Sequence, residues 1–117
     1  MATRTESRFG VAKALAATTY TLVATVAAST TANLLIHVAN LTAGTVKVRL
    51  YIADTTWSTG APSGSTLIET LAFDETIVAG APPLQISGVI ANTGDKIVAY
   101  CDTASGVDVG VHGVAIT

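Results

Sequence analysis

The sequence predicts an all-β protein, a single antiparallel β-sandwich of about seven to eight strands with a jelly-roll or immunoglobulin-like architecture. Two observations support this prediction. Short runs rich in Val, Thr and Ile recur along the chain, and the clearest of them alternates apolar with polar residues. Turn-forming segments such as NLTAG (40–44) and NTGD (92–95) separate the runs at fairly regular intervals.

The clearest strand is TVKVRLYIA (45–53), in which Val46, Val48, Leu50 and Ile52 share one face. The other runs have strand-like length and composition, and helical periodicity is weak throughout. In chain order they are VAKALA (11–16), YTLVATVA (20–27), ANLLIHVAN (32–40), TLIETLAF (66–73), PLQISGVI (83–90), DKIVAYCD (95–102) and GVDVGVHGVAIT (106–117).

The last strand contains a change of parity. Val107, Val109 and Val111 share one face, whereas Val114 has the opposite parity. The switch falls at Gly113, which we interpret as a β-bulge or bend that exchanges the side facing the core.

The chain divides into a polar N-terminal arm (1–10) and a β-sandwich domain (11–117). The arm, MATRTESRFG, has no strand or helix periodicity and carries two arginines. We expect it to become ordered on a neighbouring subunit, so that deleting it would weaken assembly without unfolding the domain.

Composition predicts self-association. Half of the 117 residues are hydrophobic and only 12% are charged, against about 25% in a typical soluble domain. A surface with so few charges solubilises a monomer poorly. The net charge of −2 and pI of about 5.4 come without a basic patch, so we expect no nucleic-acid partner. No run is long and apolar enough to span a membrane.

Strand 32–40 is apolar on both faces, which raises the question of what covers its second face. Leu34, Ile36 and Val38 point to one side, while Leu35 and Ala39 flank His37 on the other. A two-layer sandwich buries only one face of each sheet. We therefore expect a second subunit to cover the other face, together with Val98, whose parity is opposite to that of its apolar neighbour Ile97.

Residues with chemical potential form no recognisable catalytic or metal-binding pattern. Asp108 and His112 share a strand face, but zinc requires three or four ligands. Cys101 is the only cysteine, and its position predicts a buried small hydrophobe. Trp57, alone in the long loop 54–66, either pins that loop to the core or anchors a partner. We assign no catalytic, cofactor-binding or metal-binding residues, and no cofactor.

The order of strands and turns resembles that of small virion structural proteins of tailed bacteriophages. The matching pieces are Val38 and Asn40, the VKVRLYI run (46–52), the turn and strand at 94–100, and the GVDVGVHG run (106–113). The resemblance spans roughly residues 18–116 and contributes no catalytic residues. It implies a β-sandwich present in many copies on a phage particle, located in the virion and assembled in the host cytoplasm.

From this resemblance we expect a non-enzymatic capsid decoration or cement protein that forms a homo-oligomer, a trimer, and binds the major capsid protein or other virion proteins. A tail, collar or fibre component is the alternative within this class. A carbohydrate-binding β-sandwich module and an enzyme using Cys101 or His112 are rivals from other classes. The candidate subunit-interface residues are Arg4, Arg8, Phe9, Leu35, His37, Trp57 and Val98.

Overall fold

The computed structural model describes residues 3–117, which form eight β-strands and one short 3₁₀ turn, Gly64–Thr66. The strands are β1 (Arg4–Ala12), β2 (Thr21–Thr25), β3 (Thr31–Asn40), β4 (Val46–Ala53), β5 (Leu67–Ile77), β6 (Leu84–Ala91), β7 (Lys96–Cys101) and β8 (Val107–Ile116). The predicted all-β sandwich is therefore confirmed. No helix in this part of the chain has the length and apolar character needed to cross a bilayer.

The strands form two four-stranded antiparallel sheets, with orders β1-β8-β3-β6 and β2-β7-β4-β5. We call them the first and second sheet. β4 pairs with β5, β3 with β6, β2 with β7, and β1 with β8. The chain is thus a long hairpin rolled into two layers, which is the jelly-roll arrangement of eight strands.

The core lies between the sheets and consists of aliphatic side chains. Alternate residues of β3, β4 and β8 are almost fully buried, as strand periodicity requires. The inward side of β3, predicted from Leu34, Ile36 and Val38, is confirmed, because each is at most 2% exposed. β4 shows the same alternation until its end, where residues 50–53 are all buried.

The N-terminal arm expected over residues 1–10 differs from the structure. Residues 1–2 lie outside the described part, but Arg4–Ala12 form β1, which pairs with β8 along nearly its whole length. β1 is an edge strand with many solvent-exposed side chains, so no apolar alternation marks it in the sequence. The strand is held by backbone hydrogen bonds, which leave no trace in residue patterning. The sandwich therefore begins at residue 4 rather than 11.

The bulge expected at Gly113 lies instead on the neighbouring strand. β8 pairs with β3 in continuous register from Val107 to Ile116, whereas β1 shifts register between Arg8 and Gly10. Gly113 keeps the inward parity, and a Cβ there would collide with the carbonyl oxygen of Asn33. The parity switch in the sequence therefore marks a close strand approach, and Val114 faces outward beside His112.

The loop between β3 and β4 is organised by the side chain of Asn40. Its Nδ2 donates to the carbonyl oxygens of Gly44 (2.8 Å) and Ile77 (3.0 Å), and its Oδ1 accepts from the backbone and hydroxyl of Thr42. Asn40 is only 7% exposed, so its polar atoms are satisfied within the fold. This accounts structurally for the Asn at the start of the NLTAG turn.

Candidate functional site

A groove lies on the outer face of the first sheet, across β1, β8 and β3. Its volume is about 850 Å³, and we call it the β1–β8–β3 groove. Both ionic and apolar side chains line it: Glu6, Ser7, Arg8, Val11, Lys13, His37, His112, Gly113 and Val114. His37 is the one lining residue that comes from β3, so the groove includes only part of the outward face that the pattern of β3 predicts.

Strand register brings the groove residues together. Arg8 lies opposite His112, and His112 lies opposite Leu35, so the three form one row across the sheet. In a second row, Val11 lies opposite Gly110, which in turn lies opposite His37. These residues are distant in sequence, and only the sheet pairing makes them neighbours.

The two histidines meet diagonally in the groove, with ring centroids 5.4 Å apart and planes tilted by 55°. Gly110 makes this arrangement possible, because a Cβ there would lie 2.5 Å from Cε1 and Nε2 of His37. The His37 ring therefore covers the backbone of β8. The two tilted imidazole rings form the floor of the groove beside the exposed side chain of Arg8.

The rim of the groove beside β1 is mainly cationic. Arg8 and Lys13 are exposed, and Glu6 is the one carboxylate in the lining. Asp108, at the same side of the sheet, accepts a hydrogen bond from the backbone of Ala14 at 2.8 Å and so fastens the chain just after β1. The groove can thus offer aliphatic contact, imidazole stacking and charge-assisted hydrogen bonds to an acidic group.

Metal binding has little geometric support in the described residues. Within residues 3–117 no three His, Cys, Asp or Glu side chains cluster as a metal site would require. His37 and His112 alone provide two imidazoles. Asp108 and His112 do lie on one face, as predicted, but the Oδ1 of Asp108 is already engaged by Ala14.

Cys101 is buried, as the sequence predicts. It is 0% exposed, and its Sγ donates to the carbonyl oxygen of Thr103 at 3.1 Å. Desolvation raises the pKa of its thiol, which disfavours the nucleophilic thiolate. Cys101 belongs to the core cluster between the sheets and does not line the groove.

The outer face of the second sheet carries a row of aromatic side chains around one ion pair. Tyr20 and Tyr100 have ring centroids 4.7 Å apart, and Arg49 lies between Tyr100 and Phe73, with its Cζ 4.8 and 4.4 Å from their ring centroids. The guanidinium donates to both carboxylate oxygens of Asp74, at 2.7 and 3.3 Å.

Hydrogen bonds shift the pKa values of Arg49 and Asp74 in this row. The bonds to Asp74 and to the Tyr20 hydroxyl raise the pKa of Arg49, while the Arg49 bond holds the pKa of Asp74 below its usual value. Burial is the main reason that the pKa of Tyr51 is raised. The row is therefore a self-satisfied polar and aromatic layer covering part of the second sheet.

Trp57 and Val98 are not available as interface residues, contrary to expectation. Trp57 is 5% exposed and forms a small second core with Val98, Tyr51 and Ala53 on the outer side of the second sheet. Its Nε1 donates to the carbonyl oxygen of Gly60 at 2.8 Å. Of the two roles expected for Trp57, the structure supports the one in which it pins the loop, and that loop is what covers Val98.

The other candidate interface residues fall into two groups. Arg4 and Arg8 are exposed on β1, and Leu35 and His37 are half-buried on the outer face of β3. Phe9 sits at the β1 bulge and packs against the main core, which removes it from the surface group. Sequence reasoning considered His112 only as a possible metal ligand or catalytic residue, and it did not join His112 or Lys13 to this surface. The outward parity of Val114 was the available signal for His112.

Comparisons of this chain with protein-family models, with curated proteins and with solved structures find no match.

Proposed function

We propose that this chain is a non-enzymatic structural protein of a tailed-phage virion, and that it serves as a capsid decoration protein. The observation that carries the proposal is the β1–β8–β3 groove, an open surface with an aliphatic and imidazole floor beside cationic side chains. Such a mixed surface on a rigid sheet suits binding to another protein. The partners would be copies of the chain and the major capsid protein.

The fold is compatible with this role at the level of analogy. Jelly rolls include viral capsid domains and lectin domains among their members. A fold hosts many functions, so the architecture favours these classes without selecting one. The resemblance in strand and turn order to small phage virion proteins is the reason for choosing the first.

The energetic case depends on apolar surface that the isolated chain leaves in water. Val11 in the groove is 46% exposed, and Val114 in the groove and Leu35 on the outer face of β3 are only partly buried. Removing about 100 Å² of such surface from water contributes roughly 2.5 kcal/mol. Several such patches, together with the ionic rim, would offset the entropic cost of association.

Mass spectrometry of purified virions, separated into heads and tails, tests the location. A decoration protein is expected with heads at high copy number. Recovery with tails would favour the runner-up, a tail, collar or fibre component, and absence from both fractions would contradict a virion role.

Rebinding to particles that lack the protein tests the surface. Val11→Glu, in the groove, is expected to weaken attachment strongly. Leu41→Glu is a matched control, because Leu41 is 68% exposed in a loop outside the groove. Equal attachment of both variants would contradict a role for the groove.

A carbohydrate-binding module is the second candidate, and the aromatic row on the second sheet favours it. Tyr20 and Tyr100 are half-buried and Phe73 is 61% exposed, so their rings could stack on sugar faces. The test is a glycan array with Phe73→Ala, because Trp57→Ala would instead disturb the fold. Glycan binding that Phe73→Ala abolishes would favour this candidate, and no binding by the wild type would count against it.

A further inference from the structure

Two opposite edges of the sandwich carry opposite charge. At the first edge, β1 and the residue directly after it carry three cations, Arg4, Arg8 and Lys13, and one carboxylate, Glu6, which leaves a net charge of +2. We call this the basic edge. At the other edge, β5 exposes Glu69 and Glu75, and neither β5 nor β6 contains Lys or Arg. We call this the acidic edge.

These charges lack partners of their own within the described chain. Between residues 3 and 117, the one ion pair is Arg49–Asp74, which neutralises the third carboxylate of β5. The cations of the basic edge and the two exposed glutamates therefore remain available to a partner. In a protein with so few charges, this separation by sign defines two complementary surfaces.

Exposed apolar side chains accompany the charges at both edges. Val11 and Leu22 are each 46% exposed near the basic edge. Ile68, Phe73 and Ile90 are 51–61% exposed on the strands of the acidic edge. Six of the seven large hydrophobics exposed in the described chain thus lie on or directly beside these edge strands: Val11, Leu22, Ile68, Phe73, Val78 and Ile90.

The two edges lie at opposite ends of the sheets. β1 and β2 begin the two sheet orders, and β6 and β5 end them. The contact between β1 and β2 fixes this alignment, because a Cβ on Gly10 would collide with the carbonyl oxygen of Val23. One copy can therefore engage two neighbours at once.

We propose that copies of this chain associate head to tail, with the basic edge of one copy docked on the acidic edge of the next. The proposal rests on the proposed function, a self-assembling structural protein, and specifies its mode of assembly. Such a contact joins unlike surfaces, so it closes into a ring when the rotation between copies permits. The expected pairs join Arg8 and Lys13 of one copy to Glu69 and Glu75 of the next.

The edges would meet through side chains rather than as a continuous sheet. β1 shifts register between Arg8 and Gly10, and β5 shifts register against β4 at three places. Asp74 in β5 also has φ of +51°. Such irregularities twist an edge strand away from the geometry that a further strand needs.

The available surface is large enough for two contacts per copy. A standard interface buries about 800 Å² on each partner. The chain exposes 5999 Å², so two interfaces would occupy roughly a quarter of it.

Charge reversal with complementation tests the proposal. Sedimentation velocity would compare the wild type with Arg8→Glu/Lys13→Glu and with Glu69→Lys/Glu75→Lys. Each variant has one repulsive contact with its own copies, and we expect its self-association to weaken by about a hundredfold. In an equimolar mixture each contact between unlike variants again joins opposite charges, so we expect mixed assemblies that contain both variants.

Matched controls keep the result interpretable. Leu41→Glu adds a carboxylate to the loop between β3 and β4, outside all four edge strands, and is expected to assemble as the wild type does. Circular dichroism checks the fold of every variant. A salt series on the wild type needs no variant, and association is expected to weaken by about tenfold or more between 0.05 and 1 M NaCl.

Three results would overturn the head-to-tail contact. They are a wild type that stays monomeric at about 100 micromolar, within the micromolar to millimolar range in which exposed apolar surface drives association, a double variant that keeps the wild-type mass, and a mixture that stays monomeric. The virion experiment is independent of this one. Assembly that follows the charge pattern with no protein found in particles would retain the contact and reject the virion role.

Discussion

Replacing Trp57 with alanine should destabilise the fold by about 3–5 kcal/mol, the usual range for removing a buried Trp. The side chain is 5% exposed, and aromatic side chains of this kind bury about 150–250 Å². At about 25 cal/mol per Å² that burial contributes roughly 4–6 kcal/mol, an upper estimate because unfolded chains already bury some apolar surface. The lost bond from Nε1 to Gly60 adds about 1 kcal/mol.

Urea unfolding followed by far-UV circular dichroism measures this change. With a slope of about 1.5 kcal/mol/M, a loss of 4 kcal/mol lowers the midpoint by roughly 2.7 M. Unfolding at two protein concentrations separates intrinsic stability from any contribution of self-association.

Phe73→Ala is the control, because Phe73 lies on the same outer face but is 61% exposed. It should cost less than about 1 kcal/mol, mainly from the lost stacking on Arg49. If Trp57→Ala cost no more than Phe73→Ala, the second core would be energetically unimportant. A loss of association with unchanged stability would instead make Trp57 a partner anchor.

Three further predictions concern single residues. Gly113→Ala should lower the stability of the fold by roughly 3 kcal/mol or prevent folding, because the new methyl group would collide with backbone atoms. Gly110→Ala should lower it by less than about 1 kcal/mol, because the new methyl group would meet the ring of His37, which can rotate away. Thermal unfolding of the two variants tests this difference. Asp74 has a lowered pKa when folded, so its stabilisation is present above about pH 4 and is lost as the pH falls through the lowered value. Asp74→Asn should therefore be less stable than the wild type at pH 7, and the difference should shrink at pH 2; parallel curves would contradict this. Cys101 should react with a thiol reagent at least about a hundredfold more slowly in the native protein than in urea, and fast native labelling would revive the enzyme alternative.

The sequence alone was sufficient for the fold class and for the positions of most strands. The alternation of Val46, Val48, Leu50 and Ile52 marked β4 to within one residue at its start, and the inward face of β3 followed in the same way. These predictions succeed because side-chain direction along a strand is a local property with a period of two. The burial of Cys101 was predicted for the same reason.

The choice between a jelly roll and an immunoglobulin-like sandwich was decided only by the pairing of distant strands. The groove likewise required β1, β8 and β3 to meet, which joins residues about a hundred positions apart. β1 itself was taken for an arm, because an edge strand can be held by its backbone while its side chains stay polar.

Parity correctly put Val98 on the opposite face from Ile97, yet it could not show that Trp57 and its loop would cover that face. Periodicity reports which way a side chain points, and that much is written locally in the chain. Whether solvent, a loop or another molecule lies beyond the side chain depends on contacts between distant segments, and those exist only once the two sheets have formed.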